Sequence, residues 1–149
     1  MAEPKDIYIV TKAPLKLTSF TQEVSSPAWG AVCSFLGTVR SPNLGQLVDY
    51  IDYEGYEPML KTQMGVLSAE LRSRFELGGV LLAHRLGRLL PGEASIAVVV
   101  SSAHRRDALE ACAFGINRAK ELLPVWKLEV TQEDRHWVAG SSAASEPLP

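Results

Sequence analysis

The stretch Ala94 to Ser102 (ASIAVVVSS) leads through His104-Arg105-Arg106 into Asp107 to Leu123, and these two segments constrain the chain more than any others. The first is an apolar, β-branched run bounded by polar residues, which reads as a buried strand. In the second, Leu109, Cys112, Ile116, Ala119 and Leu123 recur at three- and four-residue steps, the period of an amphipathic helix, and Pro124 ends it. A chain holding both is a mixed α and β domain, and its polar junction falls where the strand hands over to the helix.

The remaining segments fit the same class. Ile7 to Val10 predicts a first strand, and Leu15 to Val24 a brief helix stopped by Ser25-Ser26-Pro27. Gly30 to Val39 reads as a strand whose Gly37 marks a bulge or a close backbone approach. Arg40 to Gly45 is turn chemistry and predicts a mobile loop, followed by a β-rich stretch from Leu47 to Tyr56. Pro58 starts a helix over Met59 to Phe75, with Met64, Leu67 and Leu71 on its apolar side and Gly78-Gly79 as its stop. Val80 to Leu90 predicts one strand, Pro91-Gly92 a turn, and Val125 to Val130 and His136 to Val138 short closing strands. Residues 1–140 form one domain in this reading, and 141–149, small, polar and Pro-bearing, a flexible C-terminal tail.

Composition narrows the function classes. The chain has 149 residues, one domain's worth, with 46% hydrophobic and 21% charged residues, values of a globular protein. A formal net charge of −2 argues against a broad nucleic-acid footprint, so any basic site must be local. The longest apolar run, Ile96 to Val100, falls far short of the ~20 residues a membrane helix needs. The first residues, MAEPKDIYIV, lack the basic start and long apolar core of a signal peptide. Cys33 and Cys112 form no CxxC motif or disulfide framework; both read as buried small hydrophobes in a reducing cytoplasm. Three scattered histidines without acidic or Cys partners at ligand spacing predict no metal site, and no cofactor motif is present.

The residues that can carry chemistry are mostly basic. His104 and Arg105 stand at a helix start, where backbone N–H groups attract anions and a guanidinium adds bidentate recognition. Solvated arginines with His104 as a strand-end cap fit the same residues. Lys120 lies near the far end of that helix and Lys127 on the next strand; each alone reads first as a solvated lysine, because helix C-termini favour cations and most lysines are solvated, whereas two in a partly dry pocket depress one another's pKa. Arg105 and Lys120 are fifteen residues apart, about 22 Å along a helix. One small ligand touches both only if a two-fold dimer brings one chain's helix start to the other's helix end. Arg40 closes the first long strand at the turn-rich loop, a usual ligand position. Glu54, Tyr56 and Glu57 read as a structural or partner-facing cluster, and His84 and Arg85 as structural.

Five segments in order, FLGTVRSPNLG (35–45), YEGYEPM (53–59), HRLGRLLPGE (84–93), SSAHRRDALEA (101–111) and LPVWKLE (123–129), resemble the catalytic (large) subunit family of molybdopterin synthase, from about Gly30 to Trp137. The resemblance implies an α+β fold, an α/β hammerhead with an additional antiparallel β-sheet. It implies a sulfurtransferase converting cyclic pyranopterin monophosphate to molybdopterin, with sulfur from the C-terminal thiocarboxylate of a small ubiquitin-like subunit. It also implies a homodimer at the centre of a heterotetramer. The family's active-site lysines fall on Lys120 and Lys127, its substrate-gripping residues on Arg40, His104 and Arg105, and a pocket aromatic on Phe35. The family often carries further basic residues near the C-terminus, whereas this chain has no Lys or Arg after Arg135. A non-catalytic anion-binding or regulatory module, or a scaffold that dimerises and docks a partner, uses the same residues differently.

Overall fold

A computed structural model describes residues 3–132 and 134–139. Eleven elements follow in chain order: β1 (Lys5–Thr11), α1 (Leu17–Val24), β2 (Ala31–Thr38), β3 (Val48–Gly55), α2 (Glu57–Arg74), β4 (Gly79–Arg85), β5 (Gly87–Leu89), β6 (Ala94–Ser102), α3 (Arg105–Leu122), β7 (Val125–Thr131) and β8 (Arg135–Ala139). They build two four-stranded sheets, one of order β1-β4-β6-β2 and one of order β5-β3-β7-β8. In the first, β1 runs parallel to β4 while β4, β6 and β2 pair antiparallel. The second is wholly antiparallel, the added sheet that the family resemblance implies.

The apolar run of β6 is explained by coverage on both faces. Val98 and Val100 point with Val80 and Leu82 into a core that includes Leu60, Met64, Leu67 and Leu71 of α2 and Ala111, Cys112 and Ala119 of α3. Ala97 and Val99 point the other way with Leu81 and Ala83, onto Phe20 and Val24 of α1. A strand buried on both faces has no reason to alternate.

Cys112 is buried as expected, whereas Cys33 is only half-buried, and the structure departs from the sequence reading of the elements at three places. The strand expected over Val80 to Leu90 is two strands in different sheets, β4 and β5, separated by Leu86, with Gly87, the first residue of β5, at φ +92, a backbone conformation that suits glycine. Gly78-Gly79 does not stop α2, which ends at Arg74 with Phe75 extended; a Cβ on Gly78 would lie 2.3 Å from the Trp29 ring and one on Gly79 2.7 Å from Val24 Cβ, so close packing at the start of β4 explains both glycines. In α3 the buried stripe is Ala108, Ala111, Cys112, Gly115 and Ala119, and Leu109 is exposed. Small residues let α3 sit close on the sheet, where a Cβ on Gly115 would already meet Val98 Cγ1 at 3.0 Å.

Gly37 does mark an irregularity: the β2–β6 register shifts between Gly37 and Thr38, and a Cβ at Gly37 would meet Ile96 Cγ2 at 2.7 Å. The tail expected over 141–149 lies outside the described residues. No described helix is long and apolar enough to cross a membrane.

A basic cleft between the two sheets as candidate active site

The C-terminal end of β2, the last turn of α3 and the inner face of the second sheet enclose a cleft of about 640 Å³. Antiparallel pairing sets Tyr53 opposite Lys127 and Ile51 opposite Glu129, so these four side chains share one face of the second sheet, and all four line the cleft. Phe35 and Gly37 supply the wall from the first sheet, Arg40 and Asn43 the rim, and Lys120 enters from α3. The turn at Pro91-Gly92 closes one side, fixed by Gly92 N–H donating to Val39 O at 2.7 Å and Val39 N–H to Glu93 O at 2.9 Å.

Four of the six sequence-predicted site residues, Phe35, Arg40, Lys120 and Lys127, therefore meet in one cleft. His104 and Arg105 do not join them. They stand at the opposite end of α3, exposed, with His104 at the N-cap making no capping hydrogen bond through its side chain. Neither Arg40 nor Arg105 pairs with a carboxylate among the described residues, whereas Arg72, Arg85, Arg88 and Arg118 all do.

The electrostatics follow from burial and like charge. Lys120 is held below the ordinary lysine range by desolvation, and the charge of Lys127 adds to that. Lys127 is lowered as well, by desolvation first; Glu129 pulls it back up and Arg40 pushes it further down. Beneath the cleft, His84 packs edge-on against Tyr53 with ring centroids 5.4 Å apart. Its Nδ1 donates to Arg85 O at 2.9 Å. Burial, reinforced by the charge of Lys120 and opposed by that carbonyl, takes His84 down to about 4. Burial and the charge of Glu129 raise Tyr53, against a contact with Ser95. The site is thus a partly dry pocket with three cationic side chains, one buried carboxylate and neutral aromatic walls, suited to gripping anions and to lending or taking a proton at lysine.

Sequence reasoning missed Asn43, Tyr53 and Glu129. A signal for Glu129 was present: in VWKLEV it sits two residues beyond Lys127, hence on the same strand face, in an otherwise apolar run. Asn43 and Tyr53 carry no comparable local signal, because their partners lie far away in sequence.

The family model described as MoaE protein matches residues 10–122. A molybdopterin synthase catalytic subunit of Pyrococcus abyssi is 44% identical over 117 residues, covering 78% of this chain and 79% of the relative. Among solved structures, the molybdopterin synthase of Staphylococcus aureus superposes with a TM-score of 0.83 at 28% identity, covering 87% of this chain and 94% of the other. A protein–protein complex of subunits 1 and 2 of the molybdopterin-converting factor of Helicobacter pylori contains a chain matching at TM-score 0.70 and 25% identity, over 89% of this chain and 88% of that one. Sequence match and structural superposition, each over most of the chain, agree: the chain belongs to the MoaE family, that of molybdopterin synthase catalytic subunits.

Proposed function

We propose that this chain is the sulfur-transferring catalytic subunit of a molybdopterin synthase, acting on cyclic pyranopterin monophosphate with a thiocarboxylated small subunit as sulfur donor. The observation that carries the reading is the meeting of Lys120, Lys127 and Arg40 in one cleft beside Phe35. The substrate's phosphate and the donor's thiocarboxylate are both anions, and a set of fixed cations in a low-dielectric cleft holds them together. For each sulfur, the thiocarboxylate sulfur bonds as nucleophile to an oxygen-bearing side-chain carbon of the pterin while that carbon's C–O bond breaks, the oxygen leaving with the electron pair as a phosphate-ester oxygen or, once protonated, as water, and a thioester results. Water then adds to the acyl carbon, the acyl C–S bond breaks with its electron pair going to sulfur, and the donor leaves as a carboxylate. Lys120 stabilises the oxyanion of that intermediate, and Lys127 assists through charge or proton transfer.

His104 and Arg105 enter this reading from a second copy, through a two-fold pairing that brings the start of one α3 to the end of the other. The assembly is a central homodimer with a small subunit on each side, in line with the two-subunit complex of the Helicobacter pylori relative. A cytoplasmic setting is part of the proposal, supported by the free thiols Cys33 and Cys112.

The test is a sulfur-transfer assay with thiocarboxylated small subunit and cyclic pyranopterin monophosphate, the dithiolene product detected as its fluorescent oxidised derivative. Product from wild type, and none from folded Lys120→Ala, is the expected result. No product from wild type, with donor and substrate proven on a control enzyme, overturns the reading in favour of an anion-binding module.

A further inference from the structure

The side chain of Arg40 makes its hydrogen bond through an amide rather than to a carboxylate. Its Nη2 donates to Asn43 Oδ1 at 2.7 Å, and Asn43 Nδ2 donates onward to Glu129 Oε1 at 3.1 Å and Oε2 at 3.3 Å. Glu129 is only 5% exposed, and Asn43 is its one hydrogen-bond partner through the side chain among the described residues. A buried carboxylate beside a guanidinium would ordinarily pair with it directly. Here a neutral group stands between them.

The loop that presents Asn43, expected to be mobile from its turn chemistry, is instead tied down by hydrogen bonds. Asn43 and Gln46 exchange both backbone hydrogen bonds, at 2.9 and 3.0 Å, across Leu44 at φ 53 and Gly45 at φ 80, a two-residue turn with both central residues left-handed. Thr131 Oγ1 donates to Gln46 Oε1 at 3.0 Å, and Val48 N–H donates to Ser41 Oγ at 2.9 Å, clipping the loop to β7 and β3. An amide is suited to the middle position because its oxygen accepts from the guanidinium while its nitrogen donates to the carboxylate. An aspartate there would repel Glu129, and an alanine would release Arg40 to swing.

We infer that Asn43 is a positioning residue, which fixes the Arg40 guanidinium at the cleft rim and keeps it from pairing with Glu129, so that its charge is left for an anionic group of a substrate. Two substrate groups share that chemistry, the phosphate of the pterin and the thiocarboxylate of the donor. The identity of these substrates rests on the function proposed above; the geometry of the relay does not.

The experiment uses the full chain with Asn43→Ala, Asn43→Asp, Arg40→Ala and the Asn43→Ala/Arg40→Ala double variant. Binding of inorganic pyrophosphate is followed through the Arg40 Nε–H resonance and by calorimetry. Turnover is measured with pterin and donor varied separately, which tells the phosphate from the thiocarboxylate. Asn43→Ala is expected to weaken pyrophosphate binding and raise one KM about tenfold, with kcat within about twofold of wild type. In the Arg40→Ala background it should add nothing, and Asn43→Asp should bind more weakly than Asn43→Ala. Multiplying losses in the double variant, or wild-type binding by Asn43→Asp, overturn the inference. If Asn43→Ala alone unfolds because Glu129 loses its partner, Asn43→Ala/Glu129→Gln carries the same comparison against Glu129→Gln. Absence of turnover in wild type would count against the proposed reaction, and the pyrophosphate titration would still decide the role of Asn43.

Discussion

The ammonium of Lys120, on the last turn of α3, lies near enough to that of Lys127, on β7, for the second charge to depress the first, on top of a larger effect of burial. The pair is asymmetric, because Lys127 has the opposing pull of Glu129 two residues along its strand. Removing Lys127's charge as Lys127→Gln should therefore raise the Lys120 pKa, though not to the free-lysine value, since burial remains. The alkaline side of the turnover profile set by Lys120 should move to higher pH, readable from kcat against pH or from the Lys120 Nζ resonance. A Lys120 titration unmoved by Lys127→Gln would contradict the coupling.

Lys120→Ala is expected to lower kcat by at least about a hundredfold, the range for loss of a group that transfers a proton or meets developing charge. Thermal unfolding of the variant should match wild type closely, because a half-buried ammonium without an ion-pair partner among the described residues is exchanged for a small apolar group. Residual turnover near the wild-type rate would move the chemistry to Lys127.

His84 gives a pH dependence of stability whose sign is fixed. Its pKa falls from the ordinary 6.5 to about 4 in the fold, where it faces Tyr53 and feels Lys120, so the folded protein favours the neutral ring. The unfolded chain binds the proton more readily between those values. The contribution is fully present above pH 6.5 and is lost as pH falls toward 4, roughly 3 kcal/mol at the limit. Urea unfolding between pH 7 and pH 4 should show a shallower loss in His84→Phe than in wild type. The contrast isolates His84 from Glu93 and Glu70, whose lowered pKa values lose stability in the same direction.

Much of the fold was legible because burial leaves a pattern. β6 is buried on both faces and reads as a continuous apolar run, and the apolar positions Met64, Leu67 and Leu71 of α2 are all fully buried. What stayed hidden depended on partners distant in sequence. The hand-over of the chain from one sheet to the other at Gly87 breaks no alternation, and Glu129 bonds Asn43 across 86 positions. Lys120 and Lys127 were recognisable as neighbours because only the turn at Pro124 separates helix from strand. That Arg105 faces away from them followed from helix length alone.

The shifted stripe of α3 can be tested against α2. Leu67 is fully buried, so Leu67→Ala should cost about 2–5 kcal/mol in chemical denaturation. Leu109, which helical spacing alone would place in the core, is 58% exposed, and Leu109→Ala should change stability by no more than about 0.5 kcal/mol in the isolated chain. A large cost at Leu109 in a dimer but not in a monomer would place this face of α3 at a subunit boundary.

The composite site makes the sharpest demand on assembly. Lys120 and Arg105 sit at opposite ends of one helix, and in the two-fold dimer proposed above each site would take Lys120 from one chain and Arg105 from the other. Lys120→Ala and Arg105→Ala subunits, each inactive alone, should recover activity when mixed and allowed to exchange. In a mixed dimer one site has both residues intact and the other has neither. Half the dimers are mixed at random exchange, so about a quarter of the wild-type rate should return. Light scattering at micromolar concentration gives the oligomeric state of each sample. Recovery of that size ties the two ends of α3 to one reaction. A monomer, or a mixture no more active than its parts, removes His104 and Arg105 from the site and leaves Arg40, Lys120 and Lys127 to grip the substrate within one chain.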